Sequence, residues 1–587
     1  MVRNGVSAQK LRFFVFAARK IGARVMFNQH YGLSEREMHP PRAGGLPKSR
    51  RSKYSSTRMV QDRARPCGNP ADKEFVMTAR PDILFLVLDT QRVDRLSAYG
   101  FPEEISPHLD ALAADATRFR HGVSTAQWTI PSHTSMFTGV YPAVHRTQKS
   151  SSRVPAALPT LAERLQQSGY YTAAFCNNPL VGVVDNGLRR GFYSFLNYSG
   201  LLTSRPNQAG ARSRLTGRYR QFFKRHLSKW LHRLQDSFAR SDALLEFAFT
   251  PLMVPLWQTA LSFKGNTGKS LNDAARLLVE RKNVAQKQPI FAFVNVMGTH
   301  MPFHPNREYI ERFAPDFLGD KAAQRYLQRF NSDVLGWLTP LGDDMDERRR
   351  AIISGMYNAE VATQDDQLGV FFERLRTSGA LDRTHVIIVA DHGDHLGEKD
   401  FVGHSISLYN ELTHVPLIIR DPNGDLPRGA TVDHPVSTRR LFHTALAAAG
   451  LADAGEERYS LAQGADPDRG VVFAEAITDE NVLKIIRRQK PQLVAEYRCD
   501  QRRRAVWQTP YKLILTGEDY RELFNFVEDP RETQNLAAAM PAKVDEMSEF
   551  LSDYERQAEA QAVPTGGAAG QSDPQLRQRL RALGYLE

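Results

Sequence analysis

Hydrophobic residues cluster along this chain in short unbroken blocks, and the two strongest blocks end alike. Pro81-Asp-Ile-Leu-Phe-Leu-Val-Leu runs into Asp89, and Thr384-His-Val-Ile-Ile-Val-Ala runs into Asp391-His392. Unbroken apolar runs of strand length are the pattern of parallel strands buried on both faces. Tyr170 to Phe175, Pro289 to Val296 and Val415 to Ile419 read the same way. Between them lie stretches of helical period: Pro107 to Ala114, Leu158 to Gly169, and about Arg350 to Thr377. The alternation predicts an α/β fold, a doubly wound and mainly parallel sheet with helices on both faces. In such sheets functional residues gather beyond the carboxyl ends of the strands, where Asp89 and Asp391 would stand. From about residue 470 the pattern becomes that of a smaller α+β unit. It contains the strand-like Tyr511-Lys-Leu-Ile-Leu, then Glu522-Leu-Phe-Asn525, and a terminal helix through Leu583.

A second feature is the turn Trp128-Thr129-Ile-Pro131-Ser132-His133, followed by an apolar helix-forming run. Proline suits a first helical turn because its missing N–H costs nothing there. The Thr129 hydroxyl would then sit at the positive end of a helix, a position that favours an anion. Hydroxyls are poor nucleophiles unless a base or a metal activates them, so any partners must come from elsewhere in the chain.

Charge and composition alter this picture in only a few places. The net charge is +12, but residues 1–80 hold 17 Lys/Arg against 5 Asp/Glu, which leaves 60 of each sign in the remainder. The excess belongs to this leader, which is rich in Arg, Ser and Pro, lacks a sustained period, and reads as disordered. Three widely spaced cysteines, Cys67, Cys176 and Cys499, form neither a disulfide framework nor a zinc knuckle. Residues 201–264 interrupt the α/β rhythm with a basic stretch interleaved with aromatic residues, then an apolar stretch broken by Glu246, Pro251 and Pro255. The plainer reading is an inserted helical subdomain packed on the core. The sharper one is a basic patch in peripheral contact with a membrane surface, suited to an anionic or lipid-linked substrate. Nucleic acid is not indicated, since no recognition motif accompanies the charge. No stretch reads as a secretory signal or a spanning helix, so the expectation is a cytoplasmic protein, peripheral at the membrane at most.

Taken in order, the motifs form a larger pattern. They are Leu-Asp89-Thr90-x-Arg92-x-Asp94, the Thr129-x-Pro-Ser turn with Thr138-Gly139-x-Tyr141-Pro142, His300-x-Pro-x-x-Pro, Asp391-His392-Gly-x-x-Leu-Gly397-Glu398, Gly403-His404, and Leu523-Phe-Asn525 with Asp529-Pro and Asn535-Leu536. In order and spacing the chain resembles the sulfatase family within the alkaline phosphatase superfamily. The resemblance implies an alkaline-phosphatase-like catalytic domain over 81–470, interrupted by 201–264, and a C-terminal α+β subdomain over 471–587. It also implies a divalent metal held by Asp89, Asp391 and His392, with Thr129 completing the site. An imidazole among the ligands points to manganese or zinc, with calcium as the remaining alternative.

The departures from the family pattern carry as much weight. Sulfatases have Cys or Ser at the nucleophile position, converted to the aldehyde formylglycine and followed by Pro-Ser-Arg. Here the residues are Thr129 and His133, and Thr cannot yield the aldehyde without losing its methyl group. Relatives that use an unmodified Thr include phosphoethanolamine transferases, although this chain lacks their several membrane spans. Thr90 stands where many sulfatases carry a second Asp, His392 where an Asn is common, and His404 where many carry a Lys. The expected roles are Thr129 as nucleophile, with His300 and His404 contacting the transferred group or protonating the leaving group. His133 would stand in for the missing Arg, Asn178 would contact substrate, and His304 and His395 are nearby reserves. The implied activity is metal-dependent hydrolysis of sulfuric or phosphoric esters, with Thr favouring phosphate. The alternatives are a phospho- or sulfo-group transferase at a membrane surface and a non-catalytic binding protein.

Overall fold

In the computed structural model, which describes residues 80–199, 206–209, 264–332, 345–464 and 466–565, the apolar run after Pro81 is strand β1 (Asp82–Leu88). Its side chains alternate between two cores. Leu84, Leu86 and Leu88 enter one hydrophobic cluster, while Ile83, Phe85 and Val87 enter another on the opposite face. This is how a continuous apolar strand comes to be covered on both sides.

The other strands of the main sheet are β2 (Thr117–Val123), β3 (Tyr171–Cys176), β4 (Ser194–Asn197), β5 (Asn207–Gln208), β6 (Ile290–Val296) and β7 (Thr384–Val389). Past a small hairpin of β8 (His395–Leu396) and β9 (Val402–Gly403), β10 (His414–Arg420), β11 (Thr431–Val432) and β12 (Val436–Ser437) complete it. The order is β11-β2-β10-β7-β1-β6-β3-β4-β5, with β12 beside β2. The centre, from β7 to β4, is parallel, while β10 runs antiparallel to both β7 and β2. The sheet is therefore mixed, its parallel part lying where the apolar runs are longest.

Helices cover both faces. Helices α1 (Pro107–Ala114), α4 (Thr267–Glu280) and the long α5 (Glu347–Thr377) close the first core. Helices α2 (Thr129–Thr138), α3 (Leu161–Gln167) and α6 (Arg440–Ala448) close the second. Helix α3 begins three residues later than its apolar period suggests, because Thr160 and Glu163 form a capping box that sets its start. Helix α5 starts at Glu347 because Asp346 caps the Arg349 N–H.

A second sheet, β13 (Val472–Ala476), β14 (Arg503–Gln508), β15 (Tyr511–Thr516) and β16 (Tyr520–Asn525), is wholly antiparallel. One face, with Trp507 and Phe524, packs against Val123 and Leu408 of the main body. The other face packs on helix α7 (Pro541–Gln561). The leader 1–79, nearly all of the basic segment 201–264 and the chain beyond 565 lie outside the described residues; α7 ends at Gln561, where Ala562 turns extended, short of the expected Leu583. Among those described, no helix is long and apolar enough to cross a membrane.

Phe85 is fully buried at the middle of β1, its ring 6.4 Å from that of Phe137 on α2 and 6.1 Å from that of Phe293 on β6. Truncation there opens a cavity in a close-packed layer. Phe85→Ala is expected to lower unfolding stability by about 3–5 kcal/mol, measured by equilibrium urea denaturation.

Candidate nucleophile and metal site

The parallel pairing of β1 with β7 matches Val87 with Val389. Two residues further on, the same register sets Asp89 level with Asp391, where both strands run out of the sheet. The strands therefore deliver two carboxylates to one place, and His392 follows directly. The ligand atoms of Asp89, Asp391 and His392 all lie within 4.8 Å of one another, and all three residues are buried. At such spacing two unit charges repel by about 3–4 kcal/mol at an effective dielectric of about 20. Burial, and after it the Asp89 charge, holds the Asp391 carboxyl well above its usual range.

The donor set fits a divalent cation. Asp89 Oδ1 and Asp391 Oδ2 are buried and accept no hydrogen bond. His392 Nδ1 lies 2.8 Å from the Gly393 carbonyl, so it carries the proton and leaves the Nε2 lone pair facing the carboxylates. Burial, followed by the neighbouring His404, pushes the His392 pKa well below the ordinary imidazole value, which keeps the ring neutral. His392 Nε2 is 3.3 Å from Asp391 Oδ2 and 3.3 Å from Thr129 Oγ1. Ligands placed tetrahedrally about 2.1 Å from one ion stand about 3.4 Å apart, close to both distances.

Thr129 opens α2, with Trp128 extended before it and no side chain capping the helix. Its Oγ1 also lies 3.4 Å from Asn178 Nδ2. Pro131 is thus the third helical residue, within the first turn as its chemistry suggests. Ser132 Oγ donates to the Asp391 carbonyl at 2.7 Å, and Ser124 Oγ donates to the same oxygen, tying the start of α2 to the end of β7.

The remaining expected residues divide into groups. Asn178, just past β3, donates to Asp89 Oδ2 at 2.7 Å, so it grips a carboxylate as well as reaching Thr129. The rings of His300 and His404 lie 5.2 Å apart, and that of His404 lies 4.4 Å from His392. His300 Nδ1 contacts the Met301 carbonyl at 2.6 Å, and His404 Nδ1 contacts Asp394 Oδ1 at 3.1 Å. One buried ion pair brackets the His300 loop: Lys264 Nζ donates to the Gly298 carbonyl, and Glu360 accepts from the His304 N–H. His133 lies behind the site. Its Nδ1 is 2.9 Å from the Thr129 carbonyl and 3.5 Å from Asp391 Oδ2, and its ring is edge-on to Phe137 and Phe293. Burial drives its pKa down to about 4. His395 bonds Ser407, and the His304 backbone N–H donates to Glu360.

Two contributors, Asn295 and Tyr357, escape motif reading, while the part played by the motif residue Arg92 shows only in the fold. Asn295 donates to Asp89 Oδ2 at 3.1 Å, and its Oδ1 accepts the Asn178 N–H. A lone Asn inside the apolar run Ile-Phe-Ala-Phe-Val-Asn-Val was the available clue. Tyr357 on α5 accepts from the Arg92 N–H and donates to the Thr90 carbonyl. Those bonds hold Thr90 at φ 60, a left-handed conformation unusual for a β-branched residue. Arg92 grips Asp94 and Glu398 and caps the Asp394 carbonyl, locking the Asp89 loop to the Asp391 loop.

Residues 81–451 match the Sulfatase family model, and the chain belongs to the sulfatase family. Among curated relatives, the uncharacterized sulfatase YidJ of Escherichia coli is 24% identical over 391 residues, covering 63% of this chain and 68% of that protein. The choline-sulfatase of Rhizobium meliloti is 23% identical over 492 residues, covering 80% and 85% respectively. Among solved structures, the phosphonate monoester hydrolase of Agrobacterium radiobacter superposes with a TM-score of 0.57 at 21% identity, over 82% of this chain and 96% of that one.

The raised Asp391 pKa gives a signed expectation. Between the ordinary Asp range and the raised value, the metal-free native state binds more protons at this group than the unfolded chain does. Stability therefore falls as pH rises through that window. The depressed imidazoles act in the opposite sense but are common to wild type and variant. Metal-free Asp391→Asn is expected to melt above the wild type at pH 8, with the gap narrowing toward pH 4. Added Mn²⁺ should raise the wild-type Tm and leave that of the variant unchanged, as read by circular dichroism.

Proposed function

We propose that this chain is a metal-dependent ester hydrolase in which Thr129 is the nucleophile and phosphoric esters are favoured over sulfuric ones. The observation that carries the reading is the position of Thr129 Oγ1, 3.3 Å from His392 Nε2 beside the paired carboxylates Asp89 and Asp391. Asp89, Asp391, His392 and Thr129 would hold the cation, manganese or zinc by the mixed oxygen and nitrogen donor set. When bound, such a cation lowers the pKa of a nearby hydroxyl and neutralises charge on the transferred group.

The chain's own residues supply the rest. Thr129 Oγ attacks phosphorus in line and passes its proton to the neutral imidazole of His300 or His404, as the Oγ–P bond forms and the P–O bond to the alcohol breaks. The departing oxygen takes that proton back from the imidazolium so formed. In the second half, water attacks phosphorus while the same imidazole takes its proton, the Oγ–P bond breaks, and Thr129 Oγ receives that proton. Asn178 and Asn295 hold Asp89 in place, and His133 steadies Asp391 and the first turn of α2 from behind rather than meeting substrate. The uncapped N-terminus of α2 favours the anionic group.

Charge sets a preference among esters. Two carboxylates and a divalent cation sum to zero, and His392 and His300 are held toward neutrality by burial. Such a site suits a substrate with one negative charge at the reacting group better than one with two. Aryl phosphodiesters and phosphonate monoesters are therefore expected to show a higher kcat/KM than the matching dianionic aryl phosphate, with Mn²⁺ or Zn²⁺ supplied. Thr129→Ala should lose about 10³-fold or more in kcat, and quenched wild-type reactions should show one phosphoryl group on Thr129 by mass spectrometry. Turnover unchanged in Thr129→Ala would end the proposal. An adduct discharged only when an acceptor alcohol is added would make the protein a transferase.

A further inference from the structure

The C-terminal sheet holds a charged pair with no part in the chemistry above. Lys512 on β15 and Glu532 are both completely buried, with Nζ and Oε1 2.5 Å apart. Lys512 Nζ also rests 4.6 Å from the centre of the Trp507 ring. Removing two charges from water is costly, and replacing such a pair by apolar residues is often neutral or stabilising. A buried pair of this kind is better understood through the geometry it imposes.

That geometry converges on one residue. Lys512 Nζ donates to Asn410 Oδ1 at 3.1 Å, and Glu532 Oε2 accepts the Asn410 backbone N–H at 2.7 Å. Asn410 Nδ2 in turn donates to the Pro530 carbonyl at 3.1 Å. The start of the turn Asn410–Thr413 is thereby held at three points by the C-terminal region. Its far end reaches the candidate site. The Leu412 carbonyl accepts the Gly393 N–H at 2.8 Å, and the Thr413 carbonyl accepts the Ser124 N–H at 2.8 Å. Gly393 lies so close to the turn that a Cβ there would stand 2.0 Å from the Glu411 carbonyl oxygen. Gly393 supplies the carbonyl to which His392 Nδ1 is bonded, and Ser124 Oγ is bonded to the Asp391 carbonyl.

We propose that the buried Lys512–Glu532 pair is a positioning device for the metal ligands. It fixes the Asn410–Thr413 turn, the turn fixes Gly393 and Ser124, and these set the orientation of His392 and the end of β7. The proposal rests on the reading of Asp89, Asp391 and His392 as metal ligands, and it makes Lys512 a positioning residue. Outer partners of metal ligands typically change affinity by about 10–100-fold when removed.

The test is calorimetric titration of Mn²⁺ and of Zn²⁺ into the full-length chain freed of metal by chelation. It compares wild type, Lys512→Met, Glu532→Gln and Leu551→Ala. Leu551 of α7 packs on the opposite face of the same sheet and does not touch the turn. The Leu551→Ala variant therefore loosens the sheet without cutting the connection. All four are titrated at a temperature where circular dichroism shows each of them folded. The expected result is roughly tenfold or greater weakening of metal binding in Lys512→Met and in Glu532→Gln, and wild-type affinity in Leu551→Ala. If Lys512→Met does not fold, Glu532→Gln, which keeps the shape of the side chain, decides the question. Wild-type affinity in the folded charge variants overturns the proposal, as does equal weakening in Leu551→Ala. Wild-type protein that binds neither ion overturns the metal reading itself, and the positioning role falls with it.

Discussion

The arrangement depends on one costly juxtaposition: two carboxylates, Asp89 and Asp391, carried to the same point by adjacent parallel strands and buried there. Neither is neutralised by Lys or Arg within hydrogen-bonding distance among the described residues. Asp89 is held by the amides of Asn178 and Asn295, and Asp391 by the N–H groups of Thr90 and His392. Neutral donors of this kind stabilise a carboxylate without cancelling its charge, so the pair is suited to a cation. The nearby devices then have a shared purpose. The left-handed Thr90 turned by Tyr357, the Arg92 clasp and the serine hydroxyls on the Asp391 carbonyl each keep the strand ends from moving apart.

Much of this was legible in the amino-acid sequence, for a physical reason. A strand buried on both faces must be apolar throughout, so a carboxylate at its end stands out, and Asp89 and Asp391 announce themselves this way. The helix from Pro107 to Ala114 is equally plain, since proline at its start and the period of Leu109 and Leu112 coincide. His133 shows the limit. Motif alignment sets it where the family has an Arg, yet one helical turn from Thr129 its ring turns inward among Phe137 and Phe293. Side-chain direction on a helix depends on what the helix packs against, and the motif does not contain that information.

Contributions that depend on long-range pairing were illegible for a different reason. Tyr357 sits mid-way along a 31-residue helix with nothing local to distinguish it from other core tyrosines. Lys512 sits in a short strand where a polar residue ordinarily faces water, and only the fold shows that its side chain is buried against Asn410 and Glu532. The single Asn in β6 is intermediate. It violates the apolar pattern visibly, but its meaning waits on knowing that β6 lies beside β1.

On the proposed reading, the threonine nucleophile and His404 in place of the family's Lys form one change rather than two. An aldehyde-derived nucleophile carries a second hydroxyl, so the group it has captured can be expelled by collapse back to the aldehyde. A threonine ester has no such route, and water must attack the captured group directly. That step needs a base to take a proton from the water, and neither an ammonium nor a guanidinium can accept one near neutrality. An imidazole can. His300 is held below its usual pKa by burial and by the proximity of His404, which favours the form able to accept a proton. A site that exchanged only its nucleophile would capture its substrate and then stall. With His404 in place of the family's Lys and its ring 5.2 Å from that of His300, this chain carries groups suited to release as well as capture. If Thr129 is the nucleophile as proposed, the threonine and the histidines make chemical sense together.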